Sequence, residues 1–176
     1  MRPPSPSRRH SSRYQIAVDR RHRAVALTPL QIRRALRTIL SLEEVACADL
    51  SVAIVDDATI HKINREHLEH DEPTDVISFL YSEPPESDAS AVGAKRPGIP
   101  RGRERLIDGE LIVSAETAVR EASRRDWDPR SELLLYLAHG LLHLCGYDDL
   151  SSVERRVMRA RERDALDALG IHEIPR

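Results

Sequence analysis

The sequence predicts an α/β fold of the α+β kind in a single compact domain: a mixed sheet of about four strands, packed with helices, around one buried central helix. Three observations predict it. At 176 residues the chain is long enough for one domain with a real core and short for two. Segments that alternate polar and apolar residues take turns with segments of helical spacing. One helical segment is apolar on nearly every side, which places it inside.

YQIAVDR (14–20) alternates and reads as a strand, and Thr28-Pro29 then supplies a cap and a first-turn proline for a helix through LQIRRALRTILSLEE. ADLSVAIVDD (48–57) is a second strand. ATIHKINREHLEH (58–70) spaces Ile60, Ile63 and Leu68 as a helix does, and Pro73 stops it. TDVISFLY (74–81) and RLIDGELIVS (105–114) are two further strands. The stretch between them, rich in Pro, Gly, Ser and charge, predicts a mobile hairpin loop over 82–104. Ser114 caps a helix through ETAVREASRRD, and Asp128-Pro129 repeats the cap-plus-proline signal before RSELLLYLAHGLLHLC, the all-round apolar helix. Gly146 suits its left-handed C-terminal position. Ser151 to Glu154 form a capping box for a last amphipathic helix ended by Gly170. No internal repeat is visible.

Composition narrows the classes. Hydrophobic residues make up 40% and charged residues 32%, and no apolar run approaches the roughly 20 residues that span a bilayer, which excludes an integral membrane protein of helical type. Residues 1–13 read as a flexible basic tail with no apolar segment behind the charges, so they do not form a secretory signal, and a cytoplasmic protein is expected. Residues 14–176 are then the single domain. Cys47 and Cys145 give no disulfide framework, and both read as buried small hydrophobes. The net charge of −2 provides no whole-molecule attraction for nucleic acid and leaves that to local basic patches.

The stretch that carries chemistry is HGLLHLCGYDD, residues 139–149. Residues four apart on a helix lie one turn apart on one face, so His139 and His143 can aim imidazole nitrogens at a single point, as zinc requires at about 2.0–2.1 Å. On spacing alone the pair also suits two satisfied core histidines. The glycine turn that follows lets the chain fold back and bring Asp148 or Asp149 to the open side of the pair. Two histidines and a carboxylate, with positions left for water, make a catalytic kind of site. Gly140 stands where a metalloprotease HExxH motif has its glutamate, which disfavours peptide hydrolysis by that route. Cys145 lies roughly 200° around the helix from His143 and is not a ligand.

These residues resemble the YbeY family of metal-dependent endoribonucleases and ribosomal RNA maturation factors, whose signature runs H-G-x-L-H-L-x-G-Y-D-H. Ten of the eleven positions from His139 to Asp149 satisfy it, the last being the exception. A second family motif, L-N-x-x-Y-R followed by D-x-P-T-D-V-L-S-F, matches Ile63-Asn64 and then Asp71 to Phe79. A third, G-D-I/L in a strand before a helix, appears as Gly109-Glu110-Leu111. The resemblance covers roughly residues 49 to 170. It implies a compact α/β domain, one zinc held by His139, His143 and Asp149, and cleavage of single-stranded RNA in processing of small-subunit ribosomal RNA, with the small ribosomal subunit as partner and no membrane.

Three departures bear on activity. Asp149 stands where the family has a third histidine, and an anionic ligand weakens the metal as a Lewis acid. It also brings iron or manganese into range, since two histidines and a carboxylate form the non-haem iron set too. The family arginine falls at Leu68. Arg65, three residues earlier on nearly the same face, is the candidate to present a guanidinium to the same space. Glu110 replaces the family aspartate. Asp148 reads as an orienting or turn-forming residue. The chain has only one Trp, one Phe and four Tyr, so phosphate contacts rather than base stacking are expected to dominate RNA binding. The alternatives are a ribosome-associated metalloprotein without catalysis and a metal-dependent hydrolase of another substrate class.

Overall fold

The computed structural model describes residues 13–68, 74–81 and 100–174. Within them the chain runs β1 (Tyr14–Arg20), α1 (Pro29–Leu42), β2 (Cys47–Val55), α2 (Asp57–Leu68), β3 (Val76–Leu80), β4 (Leu106–Ser114), α3 (Ala115–Arg124), α4 (Pro129–Leu144) and α5 (Ser152–Ala168). The four strands form one mixed sheet in the order β1-β2-β4-β3, with β1 and β4 parallel to β2 and β3 antiparallel to β4. This is the predicted α/β domain.

The local signals explain where the elements begin. The Thr28 hydroxyl accepts the Gln31 N–H while the Gln31 side chain returns a bond to the Thr28 N–H, and Ser151 and Glu154 repeat that box at α5. Ser114 and Asp128 accept the Thr117 and Arg130 N–H groups at the heads of α3 and α4. Boundaries shift by a residue or two from the pattern reading, as where the strand expected over 74–81 runs Val76–Leu80, and one shift has a clear cause. Asp56 and Asp57 leave the second strand, because Asp56 Oδ1 accepts the Thr59 N–H at 2.7 Å and so opens α2 instead.

Alternation along the inner strands feeds two clusters. Val52, Ile54, Leu111 and Val113 face the larger core, which they share with Leu36 and Leu40 of α1 and Leu137, Leu141 and Leu142 of α4. Ala53, Val55 and Ile112 face the other way, against Ile60 and Ile77. The inner strands are therefore buried on both faces. Helix α4 is buried between sheet and helices, as its all-round apolar sequence predicts. Cys145 is buried, whereas Cys47 is exposed, contrary to the expectation. As the first residue of β2 it points away from the face that buries Ala48 and Leu50.

The expected tail falls on residues 1–12, outside the described residues, but Arg13 is held by its Nε bonds to the Val45 and Ala46 carbonyls. Residues 82–99 of the predicted loop also lie outside them. Its last residues form a turn fixed to the end of α1, where the Glu104 N–H donates to the Glu44 carbonyl at 3.2 Å and Arg103 pairs with Glu44. No helix among the described residues is long and apolar enough to cross a membrane.

Candidate metal centre

Helix α4 delivers both histidines, and two glycines fix how. An added Cβ at Gly140 would lie 2.9 Å from Val76 Cγ2 and 3.0 Å from Leu111 Cδ2, so α4 approaches the sheet too closely for a side chain there. The Ser78 hydroxyl completes the contact by donating to the Gly140 carbonyl at 3.1 Å. A glutamate at this position would have to push these side chains aside. Gly146 adopts φ +91°, and the bonds Gly146 N–H to His143 O and Tyr147 N–H to Leu142 O form a Schellman stop that only glycine takes without strain. The chain then turns back, the Asp149 N–H donates to Asp148 Oδ1 at 2.8 Å, and Asp148 serves as the turn-former.

The result is convergence. One ligand atom each from His139, His143 and Asp149, all half-buried, lie within 4.8 Å of one another. Each histidine is oriented from behind. His139 Nδ1 lies 2.7 Å from Glu162 Oε1 of α5, and His143 Nδ1 lies 3.1 Å from the Tyr147 carbonyl. Because both acceptors demand a proton on Nδ1, both Nε2 atoms are turned inward, 3.0 Å apart. An outer hydrogen bond that fixes the tautomer and leaves Nε2 as the donor is the usual arrangement behind a metal-bound histidine. The donor set therefore fits a divalent ion of the zinc, iron or manganese kind.

Electrostatics agree with this geometry. Burial pushes His139 down, but the Glu162 hydrogen bond and charge outweigh it and raise the imidazole above its ordinary value. Burial and the neighbouring His139 both lower His143. A metal ion needs both Nε2 lone pairs free, so its binding competes with protons at this pair.

The histidines open onto a cleft of about 340 Å³ that Thr74, Asp75, Val76, Ile77 and Ser78 also line. The TDVISF stretch thus forms the opposite wall. Arg65 is exposed on α2 and is not among the residues lining this cleft. Glu110 lies at the far side of β4, where its carboxylate accepts the Tyr81 hydroxyl at 2.5 Å. Sequence reasoning missed Glu162. The available signal was a glutamate on the buried face of an amphipathic helix, one turn after Met158 and just before Ala165 and Leu166.

Fold and site together define a class, the α/β domains that carry a candidate metal centre at the end of a central helix. A family model described as Endoribonuclease YbeY matches residues 17–170, and this chain belongs to that family. Curated relatives bearing the same name include one from Rhodopirellula baltica, 46% identical over 129 residues. That match takes in 72% of this chain and 56% of the relative, so the chain spans little more than half of that protein's length. Another, from Syntrophotalea carbinolica, is 36% identical over 85% of this chain and 91% of the relative. A third, from Pelotomaculum thermopropionicum, is 35% identical over 89% and 92%. Among solved structures, the solution structure of TM1509 from Thermotoga maritima superposes with a TM-score of 0.55 at 19% identity, covering 88% of this chain and 89% of that one, a likeness of fold.

Proposed function

We propose that this chain is a metal-dependent endoribonuclease that cuts single-stranded RNA and acts in the cytoplasm on the small ribosomal subunit, in maturation of the 3′ end of its RNA and in ribosome quality control. One observation carries the reading: in a chain of the endoribonuclease YbeY family, His139, His143 and Asp149 bring ligand atoms within 4.8 Å of one another where the two histidines line an open cleft. We assign them one zinc ion, ahead of iron or manganese. Such an ion, when bound, supplies the charge that polarises a phosphoryl oxygen or acidifies water. His139 and His143 present their Nε2 donors, Glu162 and the Tyr147 carbonyl hold the rings in place, and Asp149 offsets part of the positive charge. The close approach at Gly140 and the Ser78 hydrogen bond to its carbonyl join α4 to the wall that Val76 and Ser78 form.

We assign Arg65 to the scissile phosphate. It is exposed and makes no salt bridge among the described residues, so its guanidinium is available to an incoming anion. The test is a cleavage assay of the full chain on a single-stranded RNA, a duplex of the same sequence, casein and a simple ester. Cleavage of the single strand alone, reduced about a hundredfold in kcat by Arg65→Ala, is the expected result. Hydrolysis of casein or the ester with intact RNA would overturn the substrate class, and parental activity of Arg65→Ala would remove that residue's role.

A further inference from the structure

An acid-lined cleft does not by itself attract RNA. Asp75 and Asp149 face the histidines and Glu162 stands behind them, while the molecule as a whole carries −2. Cationic groups around it therefore matter, and besides Arg65 of α2 the helices α3 and α5 carry arginines. Those of α3 are already neutralised: Arg120 pairs with Asp57, Arg124 with Glu121, and Arg125 with the buried Glu132.

Helix α5 is different because its acids are engaged elsewhere. Glu154 accepts from Ser151 in the capping box, Glu162 holds His139, Asp164 takes Arg161, and Asp167 contacts His172. Arg161 is itself drawn inward by Glu43. Arg155, Arg156, Arg159 and Arg163 are left exposed, and none forms a salt bridge among the described residues. Their placement follows from the helix. At about 100° per residue, Arg155, Arg159 and Arg163 lie roughly 20°, 60° and 100° around the axis from Glu162, with Arg156 just beyond; Met158 and Ala165 lie on the other side of Glu162, and the buried Leu166 falls between Arg155 and Arg159 in angle but beyond Arg163 along the helix. The row runs about 12 Å along the helix and ends at Arg163, next to Glu162, the residue behind His139.

We propose that Arg155, Arg159 and Arg163, flanked by Arg156, form a track for the phosphates of single-stranded RNA that leads the strand along α5 to the metal cleft. The proposal rests on the ribonuclease reading above and adds the surface that captures the substrate. Successive steps of about 6 Å along the row suit one nucleotide of an unstacked strand, and a positively charged track is the binding mode open to a chain so poor in aromatic side chains.

The test is initial-rate cleavage of a labelled single-stranded RNA between about 50 and 200 mM salt, comparing four forms of the full chain. These are the parent, Arg155→Gln/Arg159→Gln/Arg163→Gln, the same three positions changed to Lys, and a dispersed triple, Arg23→Gln/Arg34→Gln/Arg130→Gln, that removes equal charge. The α5 glutamine triple is expected to raise KM about tenfold with kcat within about twofold, and to flatten log KM against log salt by about 2, since each phosphate contact on a single strand adds about 0.7. The lysine triple restores most of the affinity, and the dispersed triple stays near the parent. An unchanged KM and slope, a lysine triple no better than the glutamine one, or an equal effect from the dispersed triple would each overturn the track. A parent that leaves RNA uncut instead fails the ribonuclease reading itself, and a far-ultraviolet spectrum and melting curve matching the parent keep misfolding out of the comparison.

Discussion

Glu162 shows how much of the site lies behind its ligands. Its carboxylate, 2.7 Å from His139 Nδ1, fixes which nitrogen faces the cleft and strengthens that imidazole as a donor. Tyr147 does the same for His143 through its main-chain carbonyl, and no substitution removes a carbonyl. Glu162→Ala is therefore expected to lower metal affinity by about 10- to 100-fold while the fold persists, as read by competition with a chromogenic chelator. Parental affinity in that variant would mean that His139 is oriented by packing alone. The two partners differ in how far they were legible. The histidine pair stands out because four residues of spacing is a local fact. Glu162 lies 23 positions away, and only the packing of α5 on α4 brings it there.

At the scale of elements, two ties hold the helices around the site. Glu43, fully buried at the end of α1, accepts from Arg161 of α5 at 2.6 Å and from the Tyr147 hydroxyl at 2.9 Å. Burial pushes that hydroxyl up to about 12, so it stays a donor at neutral pH. Removing the acid leaves the guanidinium only its exposed partner Asp164 and takes the acceptor from the buried Tyr147 hydroxyl, and loss of one partner from a buried pair costs about 3–5 kcal/mol. Glu43→Ala is expected to lose about that much in a urea titration, with less loss for Glu43→Gln; a change under about 1 kcal/mol would show that water takes the carboxylate's place.

The second tie joins α2 to α3. Asp57 accepts from the Ser114 and Thr117 hydroxyls and from Arg120. Burial works against its charge, but these donors hold the carboxyl down to about 2. The folded pKa lies below the unfolded value of about 3.9, so the contribution is full above that value and fades as pH falls toward 2. Asp57→Asn is expected to lower Tm by roughly 3 °C near neutral pH and to converge on the parent in acid. A gap that persists at about pH 2 would contradict this account. The starts of these helices were legible, because Thr28, Ser114, Asp128 and Ser151 each accept a main-chain N–H only two or three positions on. The ties were not, since Arg161 reaches Glu43 across 118 positions. The exposure of Cys47 was missed for a related reason: composition marks a cysteine as apolar, but strand register decides which way it faces.

Over the whole molecule, the sheet buries its inner strands on both faces and places α4 so that its C-terminal turn opens at the surface. The Gly140 contact and the Gly146 stop then set two histidines at one cleft and bring the returning aspartate within 4.8 Å of them. Family motifs pointed to those ligands because spacing and turn chemistry are written locally. The distribution of charge around them was not, because it depends on which arginines the folded chain neutralises. His139, His143 and Asp149 are expected to hold a metal ion that RNA cleavage requires. The most direct measurement is metal content by plasma emission of protein purified without added metal, alongside RNA cleavage, for the parent and His143→Ala. About one ion per chain and measurable cleavage in the parent, with both lost in the variant, is the predicted result. A metal-free parent that still cleaves, or a variant that loses its metal and keeps its activity, would contradict it.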